Sequence, residues 1–201
     1  MSMALFTMSV NAQDKSLSVV VGVNPGIGKL STSLSHGKEE DHDINYKMGF
    51  GVSVDIEKQL SGVITLSEFR YGKWKYDSRK MSTDTPMFPM PAHCDDVTSY
   101  SFMQYAGRTF FPKKRLQIPV YIGIGADYLS GKPYHNLFVD LGVKARVKFY
   151  VTDVVGIFAG ADWTYGFGLS SRGMPSSDTH QEYMSLSYTR PYVDFGATVN
   201  F

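Results

Sequence analysis

Ser177, Asp178, His180, Glu182 and Ser185 crowd into nine residues the side chains that nucleophilic hydrolysis needs. A hydroxyl attacks, an imidazole takes its proton, and a carboxylate orients the imidazole. On the rim of a barrel such a set would suit a lipid-modifying enzyme, a hydrolase of lipid A or phospholipid. The same residue types are also ordinary loop material, and no catalytic role is assigned to them. Two further clusters carry cation-binding donors: His36, Glu39, Glu40, Asp41, His42 and Asp43, and the run His93-Cys94-Asp95-Asp96. Acidic loops are as a rule simply solvated, so no metal and no cofactor is expected. Asn24-Pro-Gly-Ile-Gly-Lys29 has the composition of a phosphate loop but not its spacing, because Val23 lies five residues before Gly28 and Leu30 follows Lys29. Thr85-Pro-Met-Phe-Pro-Met-Pro-Ala92 sets Met87, Phe88 and Met90 among three prolines, too proline-rich for a strand and apolar enough to contact a partner.

These candidates lie between segments of a different kind. From Leu137 to Val151 every second residue is apolar: Leu137, Val139, Leu141, Val143, Ala145, Val147, Phe149 and Val151. Asp140, Lys144, Arg146 and Lys148 stand between them. At 100° per residue a helix would mix Val143 and Val147 with these cations, so the period of two specifies a strand. Its fifteen residues exceed the five or six usual in a globular sheet. Similar alternation marks Ile44–Glu57, Leu116–Leu129, Val155–Leu169 and the chain end from Tyr183 to Phe201. Leu17–Asn24, Gly62–Tyr76 and Tyr100–Phe111 alternate less cleanly. Eight strands result, an even number that lets an up-and-down antiparallel barrel close without an edge.

Composition agrees with this reading. The net charge of +1 gives no attraction to nucleic acid. No run of about eighteen apolar residues exists, so a membrane-spanning chain must cross with strands. Nineteen glycines, 13 Tyr and 13 Phe suit curved sheets and interfacial girdles. The single cysteine, Cys94, excludes an internal disulfide. Ala4–Val10 is a short apolar stretch, and Val10-Asn11-Ala12 before Gln13 looks like a signal-peptidase site; residues 1–12 are read as a truncated signal peptide and 13–201 as the barrel.

The connections sort by length. Those after the second, fourth and sixth strands are short (58–61, 112–115, 152–154), whereas those after the first, third, fifth and seventh (35–43, 77–99, 130–136, 170–182) are mostly longer. Outer-membrane barrels have short periplasmic turns and longer extracellular loops, which predicts both termini at the periplasmic side. An apolar face turned inward would instead make a soluble, lipocalin-like carrier. The aromatic residues favour a bilayer over that carrier, which stays open as an alternative: Tyr46, Tyr71, Tyr128, Tyr165 and Phe167 fall near the long-loop end, and Phe111, Phe149 and Phe201 near the other. Ten residues at about 3.3 Å, tilted about 45°, span roughly 23 Å, close to the roughly 25 Å apolar band of such barrels. The charges then face inward, and an eight-stranded barrel has room only for its own side chains. Lys47, Asp55, Glu68, Arg70, Arg108, Asp127, Asp140, Lys144, Arg146, Lys148, Asp162, Arg190 and Asp194 are expected, with Glu57, to form a nearly neutral lumen network. A slip of one residue in the sixth strand would put Lys144, Arg146 and Lys148 into lipid at roughly 2–4 kcal/mol each near the midplane.

Ile118-Pro-Val-Tyr-Ile-Gly-Ile-Gly-Ala-Asp-Tyr128, the hairpin Tyr150-Val-Thr-Asp-Val-Val-Gly-Ile-Phe-Ala159 and the terminal Tyr192-Val-Asp-Phe-Gly-Ala-Thr-Val-Asn-Phe201 resemble small outer-membrane barrels of the OmpA/OmpX type. The likeness covers about Leu17 to Phe201. It implies a monomer embedded in outer-membrane lipid, with Phe201 as the terminal aromatic read by the barrel-assembly machinery. Pro119 and Pro191 depart from the pattern, each removing a ladder donor. The function expected is a non-enzymatic, structural or adhesive one at the cell surface, exercised through the extracellular loops on a host or surface partner.

Overall fold

A computed structural model describes residues 15–35, 39–45, 47–60, 63–75, 96–112, 115–131, 134–172 and 183–201. They form ten strands and no helix: β1 (Lys15–Asn24), β2 (Lys29–Ser35), β3 (Glu39–Asn45), β4 (Gly49–Leu60), β5 (Val63–Lys75), β6 (Asp96–Phe110), β7 (Leu116–Gly131), β8 (Tyr134–Tyr150), β9 (Val155–Arg172) and β10 (Tyr183–Asn200). Each pairs antiparallel with its neighbour in the order β1-β4-β5-β6-β7-β8-β9-β10, and β1 also pairs β10, so eight strands close a barrel. Closure runs through eight residue pairs, from Ser16↔Asn200 to Val23↔Val193. The sheet therefore has no open edge in this ring.

β2 and β3 extend the barrel at one end. They pair from Lys29↔Asn45 to Ser35↔Glu39, and β2 also lies along β10 from Thr189↔Lys29 to Tyr183↔Ser35. This corrects two expectations: residues 39–43 are strand rather than loop, and Ile44–Glu57 is not one strand but the end of β3 followed by β4. The acidic run Glu39-Glu40-Asp41-His42-Asp43 has no apolar alternation to announce a strand; its backbone is held by the partner hairpin arm instead.

The run that imitated a phosphate loop is the break between β1 and β2. Asn24, fully buried, donates from Nδ2 to Pro191 O (2.7 Å) and Ile27 O (3.0 Å), and its Oδ1 accepts from the Gly26 and Ile27 amides at 2.8 and 3.1 Å. Gly28 takes φ +120°, and a Cβ there would strike the Thr189 carbonyl. Here β10 changes partner from β1 to β2, so Pro191 lies where the ladder is already interrupted. Pro119 faces a similar gap, with no β7–β8 pair between Gln117↔Lys148 and Val120↔Ala145, and the register on either side unchanged.

Side chains alternate between lumen and exterior along every strand of the ring. Exterior positions carry Val19, Val54, Ile122, Val143, Ile157 and Phe195, between 45% and 69% exposed. Lumen positions carry Asp55, Lys144, Arg146 and Asp194, at most 2% exposed. On β6 the expected faces are reversed. Met103 and Tyr105 point inward, where they pack with Ile64, Leu66 and Tyr121, whereas Gln104 and Arg108 are exposed on the outer face. Lys47 is likewise exposed, just before β4 begins. Arg108 and Lys47 thus leave the expected lumen network.

Lys15 and Phe201 lie at the short-turn end: the Phe201 amide donates to Lys15 O (2.9 Å) and the Asn200 amide to Val154 O (2.8 Å).

Candidate functional site

β8 supplies the axis of the interior. Its period of two sends Lys148, Arg146, Lys144, Asp140 and Phe138 into the lumen in successive layers, and the facing strands present carboxylates and aromatic rings at matching heights. Among the described residues the buried ionic groups are seven carboxylates (Asp55, Glu57, Glu68, Asp127, Asp140, Asp162, Asp194) and five cations (Arg70, Lys144, Arg146, Lys148, Arg190). This set holds two more carboxylates than cations.

The layer nearest the short turns is a pair. Lys148 Nζ lies 2.5 Å from Glu57, which also accepts the Tyr121 hydroxyl at 2.5 Å. In the middle layer Arg70 reaches Asp162 (2.7 Å), Asp194 (3.1 Å) and Glu68 (3.2 Å). Lys144 bridges Glu68, Asp162 (3.3 Å) and Asp194 (3.2 Å), and Arg146 pairs with Asp55. In the third layer Arg190 binds Asp127 and donates to Ser99 Oγ at 3.0 Å, while the Tyr188 hydroxyl donates to Asp140 (2.6 Å) and Asp127 (3.1 Å).

Aromatic rings insulate these layers. Arg70 lies 4.1 Å from the centroid of Tyr192, Arg146 4.4 Å from that of Phe158, and Arg190 4.9 Å from those of both Trp74 and Tyr188. Tyr192 packs against Trp74 at 4.7 Å, and Phe138 meets Tyr188 edge-on at 4.9 Å. Glycines on the facing strands admit these rings: Gly72 leaves space beside the Tyr192 hydroxyl and the Trp74 indole nitrogen.

Glu68, Asp162 and Asp194 bring carboxylate oxygens within 4.8 Å of one another, a spacing that could hold a metal ion. The ammonium of Lys144 already spans all three, so the cation of that site is the protein's own. The buried charges of the described residues pair with one another.

Of the thirteen residues expected in the lumen, the structure places eleven there and puts Lys47 and Arg108 on the exterior. Glu57 is in the network as expected, and Tyr121, Tyr188 and Tyr192 join it; a tyrosine at an inward position of an alternating strand is the available signal. Met87, Phe88, Met90, His36, His93, Cys94, Asp95, Ser177, Asp178, His180 and Glu182 lie outside the described residues, as do residues 1–12. Glu39, Glu40, Asp41, His42, Asp43, Asp96 and Ser185 are described in backbone only.

The exterior decides what surrounds this cylinder. A belt of Tyr71, Tyr100, Tyr128, Tyr165 and Phe167 circles the long-loop end, Phe110, Phe111, Phe149 and Phe201 circle the other, and aliphatic side chains fill the band between. Water would not tolerate that much apolar surface on a monomer, and hydrocarbon requires it. This is a transmembrane β-barrel.

No family model matches the chain, and no curated protein matches it. Solved structures do. Neisserial surface protein A is 15% identical over 92% of this chain and 97% of its own, with a TM-score of 0.46. The outer membrane protease OmpT of Escherichia coli is 8% identical over 92% and 97%, with a TM-score of 0.44. Ail, the attachment invasion locus protein of Yersinia pestis, is 12% identical over 94% and 99%, with a TM-score of 0.38.

Proposed function

We propose that this barrel is a surface scaffold: a bacterial outer-membrane protein that holds its long connections outside the cell, acts through them on a surface or host partner, and performs no chemistry of its own. One observation carries the reading. The interior is packed with mutually paired charges and rings, so it offers neither a substrate cleft nor a continuous water path. Activity then falls to the segments joining the strands at the end away from the termini, with the termini and short turns on the periplasmic side. Outer-membrane lipid surrounds the band, and Phe201, directly after the closing strand β10, is the aromatic offered to the assembly machinery.

Deletion of Pro86–Pro91 tests the reading. The shortened protein should still insert and keep its heat-modifiable gel mobility, while binding of expressing cells to host cells falls. Unchanged binding would remove the proposal for that segment. The purified protein should also leave lipid A and phospholipids intact; hydrolysis lost on His180→Ala would replace the scaffold by an enzyme.

A further inference from the structure

The outer face is apolar at bilayer depth almost everywhere, and it is interrupted on β5 and β6. Reading down from the long-loop end, the outward pairs are Tyr71↔Tyr100, Phe69↔Phe102, Ser67↔Gln104 and Thr65↔Ala106. Gln104 lies four residues below Tyr100 and four above Arg108, which with Phe110 marks the approach to the short-turn interface on this strand, so it faces the middle of the hydrocarbon. Ser67 Oγ donates to Gln104 Oε1 at 2.6 Å, and both groups are on the exterior. That bond uses the amide oxygen and leaves the two amide protons with no acceptor among the described residues. The flanking outward residues at this depth, Ile56 and Ile124, have nothing to offer them. Thr65 is satisfied locally, donating to Lys58 O at 3.4 Å.

Lipid tails cannot accept a hydrogen bond, and an amide facing them with free donors costs far more than the same group in water. Directly above this pair the barrel wall forms a shallow groove of about 720 Å³, lined on the outside by Val52, Val54, Phe69, Tyr71, Tyr100 and Phe102. A concave apolar surface beside an unsatisfied polar pair fits a protein neighbour better than it fits bulk lipid.

We infer that the β5–β6 face docks a second copy of this chain, about a two-fold axis along the membrane normal, with Gln104 at the centre of the contact. The membrane supplies the reason for a copy. Every molecule inserts in the same direction, so rotation about the normal brings together residues of equal depth. Gln104 then meets Gln104 and Ser67 of the second copy. The partial charges are complementary: the surplus amide protons of each copy face the Gln104 and Ser67 oxygens of the other. A dimer held by a polar contact in a dry setting would take the place of the expected monomer.

Cross-linking tests this in native membranes, using the full chain with Cys94→Ser. Ala106→Cys places a thiol beside the contact and keeps both polar residues; Ala161→Cys, on β9 of the opposite wall, is the control. Mild oxidation should convert Ala106→Cys to a species of twice the mass and leave Ala161→Cys unlinked. Adding Gln104→Leu to Ala106→Cys should weaken association by about tenfold while heat-modifiable mobility reports an intact barrel. Cross-linking at Ala106→Cys no greater than at Ala161→Cys, as expected if lipid fills the groove, would overturn the inference. So would cross-linking that Gln104→Leu leaves unchanged.

Discussion

The ammonium of Lys144 sits 3.2 Å from the carboxylate of Asp194, inside a barrel whose outer wall at the same strand is Val143. One residue step separates a fully buried ion pair from a side chain 53% exposed. Lys144 also bridges Glu68 and Asp162, so with Arg70 it holds together three carboxylates drawn from three other strands. Lys144→Met keeps the length and removes the charge, leaving these acids short of a cation in a region water does not reach. The expected loss is about 3–5 kcal/mol in denaturant unfolding from lipid bilayers, the cost of breaking a buried pair by removing one partner. Lys73→Met, on the exposed outer face of β5, should change stability by less than about 0.5 kcal/mol.

Gly166 pairs with Tyr188 on one side and with Asp140 on the other. The Tyr188 ring lies over it, and a Cβ would also come within 2.7 Å of Asp140 Oδ1. Gly166→Ala must displace the ring and with it the hydroxyl that donates to Asp140. The expected cost is about 1–3 kcal/mol by the same unfolding measurement. Combined with Tyr188→Ala the two costs should not add, because the second change removes the atoms the first one strikes.

The interior layers bear on permeability. Glu57–Lys148, the Glu68–Asp162–Asp194 group and Asp127–Arg190 succeed one another along the lumen with Trp74, Tyr192 and Phe158 between them. Purified protein in planar bilayers should give no stepwise conductance. Steady single-channel currents in the unmodified protein would mean that the layers part.

Much of this was legible in the sequence because the bilayer writes a simple rule. β8, β9 and the end of β10 alternate without exception, since their outward positions must be apolar and their inward ones carry the ions. β6 misled for a physical reason: the lumen of a small barrel also takes apolar side chains at its wall. Met103 and Tyr105 fill that role against Ile64, Leu66 and Tyr121, which left Gln104 and Arg108 to look like interior residues. Glycine was the overlooked signal. Gly123 and Gly125 on β7 lie beside Tyr105 and Met103, and small residues at inward positions mark where the neighbouring strand sends its large ones. Lys47 keeps the inward parity of Gly49 and Gly51 but stands at the rim before β4 begins, where its side chain is exposed rather than enclosed. The β3 arm of the hairpin, Glu39-Glu40-Asp41-His42-Asp43, offers no apolar alternation to read.

The chain has two tryptophans, and they face opposite ways: Trp163 is 48% exposed on the outer wall, and Trp74 is 1% exposed in the lumen. Fluorescence quenching by lipids brominated along the acyl chains therefore reads the orientation of the sheet directly. In bilayers of such lipid, the Trp74→Phe protein, which retains Trp163, should be strongly quenched, and the Trp163→Phe protein, which retains Trp74, should be nearly unaffected. Quenching of Trp74 with Trp163 left bright, or of neither, would contradict a barrel with hydrocarbon outside and charge within.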